Sequence, residues 1–168
     1  MQLGYEDYRG FIKQLLNQIV AYFGRKTIIA CALFGSVARG EAKPYSDIDI
    51  LIIHKKVGFD PIKRFVDALL EVRKHKEYSM LLERGIYPQP SVIFMTPQEI
   101  SHRPLILLDI MDHGLILKDE RGFLRDLIQR FKERLREMGA KKIIHKDGSW
   151  AWDLKPDWRP GEVIEVIL

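Results

Sequence analysis

Two apolar, β-rich segments on either side of a glycine turn constrain the fold of this chain more than any other sequence feature. Residues 27–34 form a continuous apolar run that is typical of a buried strand, and Gly35 ends it. Residues 48–53 form a second run, rich in isoleucine. Helical patterns alternate with such strands along the chain. The sequence therefore predicts an α/β (α+β) domain with a small mixed sheet and flanking helices.

The rest of the chain divides by hydrophobic periodicity and by start and stop signals. Asp60-Pro61 and the capping box of Thr96 and Glu99 each predict a helix start. Asp147-Gly148 predicts a two-residue hairpin turn. The predicted helices cover residues 5–23, 61–72, 75–84, 103–112 and 123–138, and the further strands cover 91–95, 115–117, 142–145 and 150–152.

The bulk composition excludes several classes of protein. No apolar run reaches the ~18 residues of a membrane span, and the first residues lack the pattern of a signal peptide, so we expect a cytoplasmic protein without membrane contact. The net charge of +4 is too small to predict binding to nucleic acid by itself. Cys31 lies in an apolar run and is expected to be a buried strand residue. The five histidines have no zinc-binding spacing.

Two carboxylates at the start of the second strand point to a metal site. Strand alternation places Asp47 and Asp49 on one face, and Ile48 and Ile50 on the other. Like charges on neighbouring positions of one face repel, which a fold normally avoids unless a cation lies between them. The alternative is a pair of exposed acids at a strand end with no ligand.

The turn before these acids suits a phosphate. Gly35 and Ser36 can offer backbone N–H groups and a hydroxyl to an anion. Two glycines, at 35 and 40, match the first half of a P-loop, but Glu41 and Ala42 replace the required Lys and Ser/Thr. The P-loop is therefore excluded. A phosphate cradle beside a cation site is the minimum needed to bind a nucleoside triphosphate with magnesium.

These residues resemble the signature of the DNA polymerase beta-like nucleotidyltransferases. Gly35-Ser36 is followed after ten residues by Asp47-x-Asp49, and the surrounding Gly-Ser-Val-Ala-Arg-Gly and Ser-Asp-Ile-Asp-Ile runs are most similar to the minimal nucleotidyltransferases of archaea and bacteria. The resemblance covers roughly residues 10–120. It predicts a nucleotidyltransferase core over residues 1–120 and a C-terminal helix with a Trp-rich hairpin over 121–168, packed on the same domain.

The resemblance implies roles for the site residues. Asp47 and Asp49 would hold Mg²⁺ and act in catalysis, and Gly35 and Ser36 would bind the phosphates of ATP or another nucleoside triphosphate. Arg39 would add positive charge there, although a solvated arginine paired with Glu41 or Asp47 is an equal alternative. Lys43 is a weaker candidate.

One position departs from the family pattern. Many members carry a third acid on the strand after the central helices, and by spacing that position here is Ser91. A serine is a poor metal ligand and no general base near neutral pH. Glu83, Glu99 or Asp109 could substitute, but nothing in the sequence places them in the site. Nucleotide binding is therefore predicted more securely than turnover.

The acceptor and the partners are open at this stage. The resemblance suggests transfer of AMP to a protein, with a toxin-type ribonuclease of the HEPN type as the candidate partner in a toxin–antitoxin pair. The rival is a catalytically weak or inactive module that binds nucleotide or a partner, because of Ser91. Transfer to a small molecule would require a separate domain that binds the acceptor, and the chain is short for that. Trp150 and Trp152 favour hairpin packing over a docking surface, and the oligomeric state, including a homodimer, is left open.

Overall fold

A four-stranded mixed sheet organises the fold. The computed structural model describes residues 2–168. The sheet has the order β3-β2-β1-β4, in which β1 pairs antiparallel with β2 and with β4, and β2 runs parallel to β3. The strands are β1 (Ile28–Phe34), β2 (Asp47–His54), β3 (Gln89–Met95) and β4 (Leu115–Asp119), and a separate two-stranded sheet pairs β5 (Lys141–Ile144) with β6 (Trp150–Asp153).

Seven α-helices lie within residues 2–168, and two of them start at the caps that the sequence predicts. Asp60 accepts a hydrogen bond from the Ile62 N–H, and Thr96 and Glu99 form the predicted capping box. The helices are α1 (Tyr5–Phe23), α2 (Gly35–Arg39), α3 (Pro61–Val72), α4 (Lys76–Glu83), α5 (Pro97–His102), α6 (Leu107–His113) and α7 (Phe123–Glu137).

The sheet is buried on both faces. Alternate residues of β2 enter two separate apolar clusters, with Ile48 and Ile50 in the one that contains α1 and α3, and Leu51 in the one that contains α6 and α7. This three-layer arrangement explains why both central strands read as continuous apolar runs. Asp49 lies on the α6 side, in alternation with Ile48 and Ile50.

The expected helix over residues 103–112 is present as a 3₁₀ turn at Pro104–Ile106 that continues into α6 from Leu107. The hairpin loop predicted as the two residues Asp147-Gly148 is longer. β5 ends at Ile144 and β6 begins at Trp150, and the His145 N–H donates to the Ser149 carbonyl, which closes the loop around residues 146–148. Inside the loop, Asp147 accepts from the Ser149 N–H.

The C-terminal elements differ in how they pack. The apolar side of α7 lies against the sheet through Leu127 and Phe131, which are fully buried. Trp152 of the hairpin packs at the edge of the same cluster.

The predicted domain boundary at residue 120 stays a prediction. None of the helices in residues 2–168 combines the length and the apolar character that crossing a lipid bilayer would need.

The end of α6 provides a test of this packing. A Cβ at Gly114 would lie 2.6 Å from the Ile110 carbonyl oxygen and 2.7 Å from its Cα. We expect Gly114→Ala to lower the free energy of unfolding by about 1–3 kcal/mol, measured by urea denaturation. Gly58→Ala is the matched control, since no atom lies within 4 Å of a Cβ there. Equal stability of the two variants would contradict the packing.

Candidate active site

The turn after β1 approaches the second strand closely. Gly35 is buried and has φ of +71°, in the left-handed region that favours glycine. A Cβ on Gly35 would overlap Oδ2 of Asp49 and lie 3.1 Å from its Cγ. The missing side chain thus leaves room for the Asp49 carboxylate beside the turn.

The two carboxylates of β2 stand at the start of the strand, beside this turn. Asp49 pairs with Phe34 on β1 and with Ser91 on β3, so it lies between both neighbouring strands. Asp47 is exposed and Asp49 is partly buried. Burial is the main reason why the pKa of Asp49 lies above its ordinary value, and the charge of Asp47 raises it further.

Ser91 lies where the family spacing predicts the third acid. Its strand partner is Asp49, and its hydroxyl lowers the pKa of Asp49, against the effect of burial. This residue therefore contacts the site but supplies no charge or ligand of its own.

A third carboxylate does reach the site, from α6. Asp109 accepts a hydrogen bond at Oδ2 from the Gly35 N–H, at 3.1 Å. Its Oδ1 accepts from Arg39 Nη1 at 3.0 Å. The negative charge of Asp109 adds to that of Asp47 in raising the pKa of Asp49. Three carboxylates thus lie around one turn.

Arg39 is the cation of this cluster. Its Nε donates to Glu41 at 3.0 Å while Nη1 contacts Asp109. Burial alone would lower the pKa of Arg39, but the bond to Glu41 and the charge of Asp109 raise it above its ordinary value, so the side chain keeps its charge. Of the sequence alternatives for Arg39, the pair with Glu41 is present, and Asp109 rather than Asp47 is its second partner. The phosphate contact stays a prediction.

The other candidates lie elsewhere or contribute less. Glu83 ends α4 at the surface, and Glu99 accepts from the Thr96 N–H beyond the far end of β3. Lys43 forms a turn with Ser46 just before β2, through its backbone. Ser36 sits in α2 next to Gly35, partly exposed.

A groove opens beside Arg39. It measures about 670 Å³, within the range of small-molecule sites. The hairpin forms its far wall, where Lys142 lies 4.5 Å from the Trp150 ring centroid. The lining combines positive, aromatic and hydroxyl groups from Arg39, Glu41, His113, Lys142, Ile144, Gly148, Ser149 and Trp150.

The donor set suits a hard cation that also binds a ligand. Within residues 2–168 no group of three His, Cys, Asp or Glu side chains is arranged to hold a metal alone. Asp47 and Asp49 supply carboxylate oxygens on one face, and Mg²⁺ typically takes one or two carboxylates plus phosphates and waters. This pair of carboxylates therefore fits a metal that arrives with a phosphate.

Sequence reasoning did not place Asp109. The sequence does show that Asp109 is the one acid within the apolar run 105–111, which is an unusual place for a charge. A charge in such a run is expensive to bury without a partner. Its partners, however, lie 70 and 74 residues away, at Arg39 and Gly35. Periodicity along one segment cannot reveal contacts at that separation.

Comparison with known proteins identifies the family. The nucleotidyltransferase domain family matches residues 12–151, most of the chain, and the chain belongs to this family. A candidate protein adenylyltransferase of Methanocaldococcus jannaschii, MJ1305, is 28% identical over 154 residues, which cover 84% of this chain and 96% of that protein. The enzyme class that the motif predicts, a nucleotidyltransferase, is therefore confirmed.

Solved structures with a partly similar backbone come from a toxin–antitoxin system. A mutant of the toxin–antitoxin pair MntA–HpeT is 17% identical, with a TM-score of 0.44 over 76% of this chain and 91% of that chain. A toxin–antitoxin structure with AMP-PNP is 18% identical, with a TM-score of 0.39 over 73% of this chain and 91% of that chain.

Burial of Asp49 next to other carboxylates predicts that removing its charge stabilises the folded protein. Because its pKa is raised in the folded state, ionised Asp49 opposes folding at pH 7. We expect Asp49→Asn to raise the melting temperature in metal-free buffer at pH 7, by a few degrees at most. The gain should shrink as the pH falls towards 3.8, the ordinary pKa, and vanish below it, where the wild-type side chain is protonated in both the folded and the unfolded state. Asp157→Asn removes an exposed carboxylate and serves as the control. A lower melting temperature for Asp49→Asn alone would contradict the repulsion.

Proposed function

We propose that this nucleotidyltransferase transfers AMP from ATP to an acceptor in a magnesium-dependent reaction. The observation that carries the proposal is the pair of same-face carboxylates, Asp47 and Asp49, beside the Gly35 turn and Arg39. A cation site next to donors for an anion is what a metal-bound triphosphate requires.

The metal would be held by Asp47 and Asp49. When bound, Mg²⁺ neutralises charge on the triphosphate and orients it for in-line displacement at the α-phosphate, with pyrophosphate as leaving group. The residue set fits, because two carboxylates leave the remaining positions for phosphate and water oxygens. The charges of Asp47 and Asp109 help to raise the pKa of Asp49, and this repulsion between carboxylates supports the same assignment.

The chain's own groups then position the phosphates. Gly35 offers its N–H, Ser36 its hydroxyl, and Arg39 two or more guanidinium donors suited to planar recognition of phosphate oxygens. Lys43 is too loosely tied to the site to receive a defined role. The groove beside Arg39 gives the rest of the nucleotide or the acceptor a place next to the reacting phosphate.

The acceptor we propose is a protein. The M. jannaschii relative bears the name of a candidate protein adenylyltransferase and matches along nearly its whole length. The resemblance to minimal nucleotidyltransferases suggests a HEPN-type toxin as this protein, which would give the chain an antitoxin role in the cytoplasm. The chemistry of the site does not itself select the acceptor.

A second candidate function is a nucleotide-binding module with little or no turnover. It is favoured by Ser91, which faces Asp49 where an acid would activate the attacking hydroxyl. This candidate predicts metal-dependent ATP binding with no modified product.

Mass spectrometry and calorimetry together test the proposal. The protein is incubated with ATP, MgCl₂ and a co-purified or genomically adjacent protein, and we expect an increase of one AMP on that protein. Asp47→Asn should weaken magnesium-dependent ATP binding by at least about tenfold, since even outer-shell changes at metal sites cost that much. Asp157→Asn is the control. Unchanged affinity in Asp47→Asn would exclude the metal site, and binding without modification would favour the module.

Ser91→Asp tests whether chemistry is limited by the missing acid. General-base assistance is typically worth about 10²–10⁴-fold in rate, so the variant should transfer AMP faster while its ATP affinity stays within a few-fold. Ser91→Asn, which adds bulk without charge, is the matched control, and a melting curve checks folding of both. A folded Ser91→Asp variant with no gain would show that the acid at this position is not what limits the rate.

A further inference from the structure

The donors that would bind a phosphate are already engaged by a side chain of the same protein. The Gly35 N–H donates to Asp109 Oδ2 at 3.1 Å, and Arg39 Nη1 contacts both carboxylate oxygens, at 3.0 and 3.4 Å. We propose that Asp109 is an internal anion that occupies the phosphate cradle and selects metal-bound triphosphate over metal-free phosphate anions. This inference rests on the proposed function of the cradle.

The contacts make Asp109 and a phosphate mutually exclusive. The Gly35 N–H can donate one hydrogen bond, and it donates that bond to the Asp109 carboxylate. A carboxylate offers two oxygens to the turn and the guanidinium, much as one edge of a phosphate would. A phosphate oxygen can therefore take this N–H only after the Asp109 carboxylate has moved away.

The charge around the cradle explains the selectivity. Asp47, Asp49 and Asp109 place three carboxylates near one turn, and Asp109 contributes to the raised pKa of Asp49. Arg39 is also shared with Glu41. A metal-free anion would meet this negative field directly. A triphosphate that carries Mg²⁺ brings positive charge to Asp47 and Asp49, and so offsets the repulsion that displacement of Asp109 must overcome.

The surroundings of Asp109 allow it to leave. Its side chain is 25% exposed, equal to that of Arg39. It sits on α6, whose His113 lines the groove beside Arg39, so open space adjoins the pair. A released carboxylate can therefore be hydrated or can turn towards the metal, at modest cost.

The test compares Asp109→Asn with wild type by calorimetry, using inorganic pyrophosphate in EDTA and Mg-ATP in separate titrations. Asn keeps the shape and an acceptor oxygen but removes the charge. We expect pyrophosphate affinity to rise about tenfold or more, since a charge-assisted competitor is lost, and Mg-ATP affinity to rise less. Asp157→Asn is the control, because it removes an exposed carboxylate that does not line the groove beside Arg39.

Each outcome decides the inference. Tighter pyrophosphate binding in Asp109→Asn but not in Asp157→Asn supports it. Unchanged pyrophosphate affinity with loss of AMP transfer overturns it and makes Asp109 the third acid of the reaction. If wild type binds no Mg-ATP, the proposed function fails first and the inference with it. If Asp109→Asn does not fold, as judged by its melting curve, Asp109→Ser is measured in its place.

Discussion

The contact between Gly35 and Asp49 is the constraint on which the rest of the site depends. Strand pairing sets Asp49 directly across from Phe34, the last residue of β1. The chain must then turn beside a carboxylate, and only a residue without Cβ, in a left-handed conformation, leaves that carboxylate its place. The N–H of the same glycine donates to Asp109 at 3.1 Å. One piece of backbone thus sets the positions of both the proposed cation ligand and the proposed anion donor.

The electrostatics of this space are those of a site made for a charged ligand. Asp49 is partly withdrawn from water between two strands, next to Asp47 and Asp109, with Arg39 as the compensating charge. Repulsion of this kind opposes folding, and stable proteins commonly tolerate it only where function requires it. The resting protein limits the cost by pairing Arg39 with Asp109. Bound metal and phosphate would give each of these groups a new partner.

The sequence revealed those parts of the molecule that depend on local pattern. Alternation in β2 put Asp47 and Asp49 on one face, and Asp60 and Thr96 marked helix starts that the structure confirms. It could not reveal Asp109, because the contact with Gly35 depends on how α6 crosses the end of the sheet. Nor did Asp147-Gly148 predict the length of the hairpin loop, since the hydrogen bond from the His145 N–H to the Ser149 carbonyl closes it around residues 146–148. The position of Asp109 and the length of the hairpin loop depend on contacts between residues, which hydrophobic periodicity along the sequence does not show.

Ser91 and Asp109 together suggest how this site balances stability against chemistry. On β3, Ser91 stands across from Asp49, and its hydroxyl lowers the pKa that burial has raised. A carboxylate at that position would instead add a charge next to Asp49, in a cluster that already holds Asp47 and Asp109. Such an arrangement would be tolerable mainly with a metal bound. With Ser91 on β3, the third acid of the cluster comes from α6, where it is paired with Arg39. A further carboxylate on β3 would add to the repulsion that already raises the pKa of Asp49.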